Sequence, residues 1–382
     1  ADTGSGLTDL VRQVEALAGG EGATVEELAA RFVEAEAGAL AHRKALNALL
    51  VRVQRGRTAL RDVVAALAPH LTSADSLARG RAVLLIAELL DRLPALALPP
   101  AEATTLAQFF AARMQDVPCA AEALQGAAAL LTHHRLHEEE EARAATNPHF
   151  LALAVFQELH VPSLRQPRRL QAYRLLAALL ARHPASMRAV GRDFAVGVVQ
   201  AVDLEKDPRN LLVAWRLLAA LAAALPGAAA EFSEELFEVA ACYFPLALRP
   251  GAALPPADER PSDEELAAAL EAAMAAAPPF ARHCIPFLAE RLEEAASAEE
   301  SQQCLAALAA AVRRFAGMAG GLAALAPHLP TVWAALRREA TEAHEEEVCA
   351  AALSTLREVC AALVAPAPGL AVEAAGARAP LA

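Results

Sequence analysis

The run His344-Glu345-Glu346-Glu347-Val348 is the part of the sequence that comes nearest to a hydrolytic metal site. A zinc hydrolase of the HExxH type needs a second imidazole four residues after the first, because two ligands must then project from one face of a helix. Val348 occupies that position and cannot bind a metal. We therefore interpret the run as a solvated acidic helix face, with a metal hydrolase built on His344 as a minor alternative.

The other residues that could do chemistry are scattered. His133, His134 and His137 lie beside four glutamates in a charged stretch without an apolar period, which favours an exposed loop over a metal site. The sequence has no P-loop, no GxGxxG, no GxSxG and no paired CxxC. Six cysteines, with gaps of 123, 42, 20, 45 and 11 residues, match no disulfide, zinc or iron-sulfur pattern; they are Cys119, Cys242, Cys284, Cys304, Cys349 and Cys360. We predict buried thiols in a reducing compartment, no catalytic residue, no metal, no cofactor and hence no enzyme.

A cationic band interrupts an otherwise acidic chain. The sequence carries 34 Lys and Arg against 46 Asp and Glu, a net charge of −12, whereas residues 151–220 carry 10 basic and 5 acidic groups. The arginines that form our candidate partner-binding surface are Arg165, Arg168, Arg169, Arg174, Arg182, Arg188 and Arg192. They could dock an acidic partner, although ordinary surface charge on helices would give the same pattern. The acidic net charge, and a Tyr173 that falls on an apolar stripe, argue against direct nucleic-acid binding.

The elements that position these residues are predicted to be helices throughout. Of 382 residues 56% are hydrophobic, over a quarter are alanine and only 18 are glycine, which is a strongly helical composition. Four apolar stripes have helical spacing: Ala82, Leu85, Ile86, Leu89 and Leu93; Leu170, Tyr173, Ala177 and Leu180; Leu211, Trp215, Leu218 and Leu225; Leu305, Leu308, Val312 and Phe315. We expect Trp215, Trp333 and Tyr243 to be packed. The most apolar run, residues 217–230, is broken by Pro226, so we predict no membrane contact.

Helix starts and a long-range period can also be recognised. Capping-box spacing occurs at Thr24 with Glu27, Ser262 with Glu265 and Ser297 with Glu300. Short polar turns between two helices recur near Asp75, Asp116, Gln166, Asp207, Ser297 and Thr341, at spacings of 41, 50, 41, 90 and 44 residues. If 90 is two units of 45, the period is that of two-helix HEAT or armadillo repeats. We predict an all-α HEAT-repeat solenoid, with an irregular helical bundle as the alternative.

The domain organisation follows from this period. Residues 1–54 are expected to form atypical or capping N-terminal helices, and residues 55–362 the HEAT-repeat solenoid. Exposed loops are predicted near 133–149, which is highly charged, and 249–262, which is rich in proline. Residues 363–382 are predicted to be a disordered tail rich in Ala, Pro and Gly. A start without Met, together with this tail, suggests a piece or variant of a longer product.

Five segments, in order along the chain, carry a family resemblance. They are FFAARMQDVPCAAEALQGAAAL (109–130), FQELHVPSL (156–164), GRDFAVGVVQAVDLEKDPRNLLVAWR (191–216), EELFEVAACYFP (234–245) and LPTVWAALRREA (329–340). Together they closely resemble the N-terminal part of the methyl methanesulfonate-sensitivity nucleotide excision repair homologs, a family of large HEAT-repeat proteins. The resemblance covers about residues 55–360.

The resemblance implies an adaptor without chemistry of its own, in the targeting step of cytosolic iron-sulfur protein assembly. Its implied partners are a WD-repeat propeller and a small protein of the assembly complex, and apo iron-sulfur clients such as excision-repair helicases, DNA polymerases and primase. These clients imply links to DNA repair, replication and transcription factor IIH, in nucleus and cytoplasm. The family supplies no ligand or catalytic motif to carry over to this sequence.

The sequence resembles only the N-terminal part of the family members. Family members are much longer, and their C-terminal repeats are implied to be the main contact with the assembly complex. Client binding is therefore the expected role of the N-terminal solenoid. A karyopherin-like HEAT-repeat cargo receptor, or another protein-interaction solenoid, is the alternative from a different functional class, because acidic HEAT arrays also carry cargo.

Overall fold

The computed structural model describes residues 22–133, 148–246 and 260–364, and the chain divides into two compact units, Ala1–Ser186 and Met187–Ala382. The helices of the first unit are α1 Val25–Glu34, α2 Leu40–Gln54, α3 Leu60–Ala66, α4 Ala68–Leu71, α5 Ser76–Arg92, α6 Pro100–Met114, α7 Val117–His133, α8 His149–Glu158 and α9 Gln166–Arg182. A 3-10 turn at Val161–Ser163 precedes α9. Helix α10, Pro184–Val190, contains the boundary between the units.

The second unit is built in the same way. Its helices are α11 Arg192–Val202, α12 Pro208–Ala224, α13 Pro226–Glu231, α14 Ser233–Ala241, α15 Asp263–Met274, α16 Ala281–Glu294, α17 Ala298–Ala316, α18 Gly321–Leu325, α19 Leu329–Glu342 and α20 Glu346–Val364. Two 3-10 turns, Pro278–Phe280 and Ala326–His328, precede α16 and α19. Throughout the three described ranges there is no strand.

The helices pack as neighbouring pairs, which confirms the predicted all-α, HEAT-like fold class. We call the second helix of each pair its B helix and the first its A helix. In the first unit the B helices α5, α7 and α9 pack successively, with α6 and α8 beside them; in the second, α12, α15, α17 and α20 do so, with α11, α14, α16 and α19 beside them. The B helices begin 41, 49, 42, 55, 35 and 48 residues apart, so the predicted interval of 90 residues divides as 55 and 35.

Local capping explains where several helices begin. Thr24 and Ser262 form full capping boxes with the glutamate three residues on, as predicted. Ser297 accepts a hydrogen bond from the amide of Glu300 at 3.2 Å, but the Glu300 carboxylate accepts from the amide of Ala296 instead of closing the box. The Asp75 and Asp207 side chains cap α5 and α12 by accepting from the amide two residues on.

Most residues of the predicted apolar stripes lie in the core between the helices. The stripes on α5, α12 and α17 are buried along their whole length. On α9, however, Leu170 and Ala177 are only half-buried, whereas Tyr173 and Leu180 lie in the core. The buried face of α9 therefore centres on Leu176, because α7 and α8 both cover that side of the helix.

Several packing predictions were wrong. Trp333 is 55% exposed on α19, whereas Trp215 is buried, and Tyr243 is half-buried against it. Cys242 and Cys360 are exposed, while Cys119, Cys284 and Cys304 are buried as predicted. Helical periodicity places a residue on a face, but whether that face is covered depends on a neighbour elsewhere in the chain.

Two predicted loops and the predicted tail lie wholly or mostly outside the described residues. These are 134–147 of the first loop, 249–259 of the second and 365–382 of the tail; residues 1–21 and 247–248 also lie outside the described residues. Among the helices that are described, none is both long and apolar enough to cross a bilayer.

Candidate partner-binding surface

The seven predicted arginines divide between the two units. Arg165 is the residue before α9, and four more lie on that helix, so that five of the seven belong to one element of the first unit. Arg188 and Arg192 belong to the second unit. A band that is continuous in the sequence is therefore presented by two bodies.

Arg168 faces a neighbouring B helix more than it faces solvent. Its guanidinium donates at 2.9 Å to the amide oxygens of Gln125 and Gln171, and lies 3.4 Å from the carboxylate of Glu122. The side chain is 26% exposed. Because Glu122 and Gln125 lie on α7, Arg168 links α9 to α7, which is a structural role.

Arg169 and Arg182 also bond to backbone at the two ends of α9. Arg169 donates to the carbonyl of Leu164 at 2.8 Å, which fixes the turn that leads into the helix. The Arg182 guanidinium donates to the carbonyl of Thr132 near the end of α7. The Thr132 hydroxyl donates to the carbonyl of Ala128 at 2.7 Å. Both carbonyls near this end of α7 therefore accept a hydrogen bond from a side chain.

Five arginines of the set are exposed: Arg165, Arg174, Arg182, Arg188 and Arg192. Arg174 lies on the exposed side of α9, nearly opposite the buried Leu176. In the second unit the Arg192 guanidinium lies 3.6 Å from the Glu231 carboxylate and 5.1 Å from the centre of the Phe232 ring. Exposed guanidinium groups can form bidentate pairs with carboxylates or phosphates of a partner, so this subset retains the predicted docking chemistry.

A second polar feature of the first unit was not predicted. The Arg79 guanidinium on α5 makes two hydrogen bonds to the Asp116 carboxylate, at 2.8 and 3.1 Å. The hydrogen bond from Arg79 lowers the pKa of Asp116 below its usual value, while burial and the neighbouring carboxylate raise the pKa of the Cys119 thiol to about 11. Arg79 follows the predicted turn at Asp75, and Asp116 lies in the next predicted turn along the chain. These two turns belong to successive repeats, so their sequence could have indicated a contact between the repeats.

Besides the Arg79–Asp116 pair, a second series of polar side chains crosses three B helices. The Arg92 guanidinium binds Glu88 on α5 at 2.7 Å, Glu88 accepts from Gln125 on α7 at 3.4 Å, and Gln125 accepts from Arg168 on α9. Burial raises the pKa of Glu122, which lies beside this series. These contacts fix the relative positions of the three helices and so the spacing of the side chains that they expose.

In the second unit two of the family-like segments meet at a buried carboxylate. Glu205 is 2% exposed; its carboxylate accepts from the amides of Lys206 and Asp207 and from the Asn210 side chain, at 2.8 to 3.0 Å. The Tyr243 hydroxyl donates to the carbonyl of Glu205 at 2.6 Å. We call Glu205, Lys206, Asp207, Asn210 and Tyr243 the Glu205 node. The burial of Glu205 was not predicted, because glutamate is a charged residue that is usually exposed.

The node sets the conformation of the turn between α11 and α12. Leu204, directly before Glu205, has φ +58, a left-handed conformation that costs a leucine about 1–2 kcal/mol. Its side chain is 75% exposed. The Tyr243 ring also contacts Trp215 edge to face, with ring centroids 5.6 Å apart, so the turn is attached to the core.

Among the residues that the structure describes, those considered for metal or redox chemistry do not form a cluster. Within the described ranges no group of three or more His, Cys, Asp or Glu could hold a metal ion. Glu345, Glu346 and Glu347 are exposed as predicted, but His344 and Glu345 lie in the bend before α20, so the predicted acidic helix face is wrong for these two residues. Val348 is 3% exposed and packs in the core. His134 and His137 lie outside the described residues. The arrangement that remains supplies exposed surface on paired helices, which suits binding to proteins.

Comparison with known proteins gives a consistent result. A family model described as "Dos2-interacting transcription regulator of RNA-Pol-II" (MMS19_N) matches residues 64–342. The MMS19 nucleotide excision repair protein homolog of Homo sapiens is 33% identical over 322 residues, 81% of this chain and 28% of that protein. The homologs of the same name from Dictyostelium discoideum and Arabidopsis thaliana are 31% and 28% identical over 77% and 80% of this chain, and 25% and 26% of theirs. The chain thus spans about a quarter of the length of these relatives.

Proposed function

The chain belongs to the MMS19 family, and from this premise we propose that it is a non-enzymatic scaffold that holds client proteins for iron-sulfur cluster delivery. The observation that carries the proposal is the family match over residues 64–342, on an array of helix pairs that exposes surface. The names of the relatives refer to nucleotide excision repair, and the family description to a transcription regulator of RNA polymerase II. They support a role beside repair and transcription enzymes.

In this proposal the partners are of two kinds. One is the late assembly complex, a WD-repeat protein with its small partner; the other is the apo form of iron-sulfur helicases, polymerases and primase. The chain would act in cytoplasm and nucleus, where such clients work. Because it spans about a quarter of its relatives, we propose client binding as its own contribution.

The exposed arginines of the first unit are the proposed client contact. Arg165 and Arg174 are exposed, whereas Arg168 bonds to Glu122 and Gln125. An acidic client surface would be attracted to the exposed pair and would not need to break the structural contacts. The interaction should therefore weaken as ionic strength rises.

The test is a pull-down of an apo excision-repair helicase and of the two assembly-complex subunits by the purified chain. Arg165→Glu with Arg174→Glu should reduce helicase capture by about tenfold. The matched control is Arg43→Glu with Lys44→Glu, which changes the charge equally at two exposed positions of α2 in the same unit.

Three results would count against the proposal. Capture of none of these proteins would remove the scaffold function from this chain. Equal losses in the two charge-reversed variants would remove the arginine surface while leaving the scaffold. Binding to the GTP form of the small nuclear-transport GTPase, without client capture, would favour a cargo receptor instead.

A further inference from the structure

An apolar pocket lies on the second unit, away from the arginines. It has a volume of about 290 Å³ and lies between the B helices α15 and α17 and the chain that follows α14. Apolar side chains line it: Phe244, Leu246, Ala267, Leu270 and Ala306. Small-molecule sites usually enclose about 300–1000 Å³, so this pocket is at the small end of that range and has room for one or two side chains.

The charged residues that line the pocket are all acidic. Asp263 and Glu264 lie on the exposed first turn of α15, and Glu271 lies two turns further along the same helix. The N-terminal partial charge of α15 offsets only about half of one negative charge, so three carboxylates leave the rim negative. The pocket therefore joins apolar walls to a potential that attracts cations.

Glu271 is the most informative of the three carboxylates. It is half-buried, and burial raises its pKa even though Arg313 and Arg314 lie near enough to lower it. Arg313 pairs with Glu358 on α20 at 2.7 Å. Glu271 lines the pocket, so a cation that arrived from outside would meet its carboxylate at the wall.

We propose that this pocket docks a protein segment that inserts an aliphatic side chain between Phe244, Leu270 and Ala306 and places a flanking Arg or Lys against Glu271. The aliphatic group would be the anchor, since removal of apolar surface from water supplies most of the affinity at such sites. The carboxylates would select cationic neighbours and reject acidic ones. This surface prefers the opposite charge to the arginine surface, and it does not depend on the proposed function.

The test measures binding of a fluorescein-labelled synthetic peptide centred on Arg-Leu-Arg to the full chain, by fluorescence anisotropy. Peptides centred on Arg-Ala-Arg and Glu-Leu-Glu are compared at the same ionic strength. We expect the Arg-Leu-Arg peptide to bind at least about tenfold more tightly than either, because only it supplies both the anchor and the charge. Equal binding of all three peptides, or no binding by any of them, would overturn the proposal.

Two sets of variants locate the binding on the chain. Asp263→Asn, Glu264→Gln and Glu271→Gln together should weaken the Arg-Leu-Arg peptide about tenfold. The control combines Glu290→Gln, Glu299→Gln and Glu346→Gln, which removes the same charge from the same unit, with two of the three again in first turns of helices. Equal loss in the control would reduce the effect to general attraction between a cation and an acidic chain, and would overturn the pocket.

Filling the pocket tests the anchor separately from the charge. Ala306→Trp, at an exposed position of the wall, should abolish the difference between the Leu and Ala peptides; Gln303→Trp does the same if the first variant fails to fold. An unchanged difference in a folded variant would overturn the anchor.

Replacement of 247–259 by a Gly-Ser linker of equal length should leave the affinity for the Arg-Leu-Arg peptide unchanged. A tenfold rise would show that the chain's own segment is the occupant and would overturn an external partner.

Discussion

Neighbouring B helices are joined differently in the two units. In the first unit, Arg79 with Asp116 and Gln125 with Arg168 cross from one helix to the next. In the second, the pair between Arg313 and Glu358 crosses from α17 to α20 but is more exposed than these pairs of the first unit. Helix α17 also buries Leu305, Leu308 and Phe315 against its neighbours. The same two-helix repeat can thus carry half-buried or exposed charge pairs beside its apolar faces.

The difference has a consequence for function. Arg168 pairs with Glu122 inside the first unit, although the sequence alone would assign this arginine to a partner protein. Between α15 and α17, Glu271 lines a pocket instead. The two candidate surfaces therefore differ in charge, with exposed arginines on the first unit and carboxylates around a pocket on the second.

The largest expected effect tests apolar burial in the second unit. Trp215→Ala should lower the free energy of unfolding by about 3–5 kcal/mol, because it removes a buried ring and leaves a cavity beside Tyr243. Trp333→Ala is the matched control, since that ring is 55% exposed, and should change it by less than about 1 kcal/mol. Urea unfolding measures both, and equal losses would mean that the two rings are buried alike.

The next largest effect concerns the Glu205 node. Glu205→Ala leaves two backbone amides and the Asn210 amide group without their buried acceptor, which should cost about 2–3 kcal/mol of unfolding free energy. Asp203→Asn, at the exposed neighbouring position, should have little effect. A loss in the Glu205 variant no greater than in this control would show that the node does not support the turn.

A smaller effect, visible mainly in acid, tests the charge pair of the first unit. The folded pKa of Asp116 is lowered, so its stabilisation is complete above the unfolded value of about 3.9 and is lost as pH falls towards the folded pKa. Asp116→Asn should destabilise at pH 7 and flatten the loss of stability below about pH 4. Thermal unfolding across pH 2 to 7 checks this, with the exposed Asp91→Asn as control. A wild-type acid slope in the Asp116 variant would contradict it.

The smallest effect compares two half-buried carboxylates. Burial raises the pKa of Glu122 and Glu271, so each costs stability as pH rises above the unfolded value of about 4.3. Glu271→Gln should slightly raise the unfolding free energy at pH 7, because it removes the cost of a half-buried charge. Glu122→Gln should gain less, since it also loses the charge pair with Arg168. A larger gain at Glu122, measured by urea unfolding, would show that this pair does not stabilise the first unit.

Much of the architecture could be predicted because it depends on local spacing. The turns near Asp75, Asp116 and Asp207 and the stripe on α17 follow from helical periodicity and capping, which act within a few residues. The interval between the turns at Asp207 and Ser297 was predicted only as a sum, because the residues between them include a proline-rich segment without helical spacing.

The candidate sites were predictable only in part. Residue type and charge count identified the arginine band, but not that Arg168 bonds to α7 while Arg174 remains exposed. The pocket near Glu271 and the burial of Glu205 depend on residues far apart in the chain. No local pattern in the sequence could indicate either one.

The sequence by itself determined that the chain is helical, where several helices begin, roughly how often the pair repeats and to which family it belongs. These properties follow from caps, stripes and ordered segments that are written in consecutive residues. Only the tertiary structure decided which sides of the helices are covered. Trp215 is enclosed and Trp333 is not, because exposure depends on the helix packed alongside, and the position of that helix is set by many contacts at once.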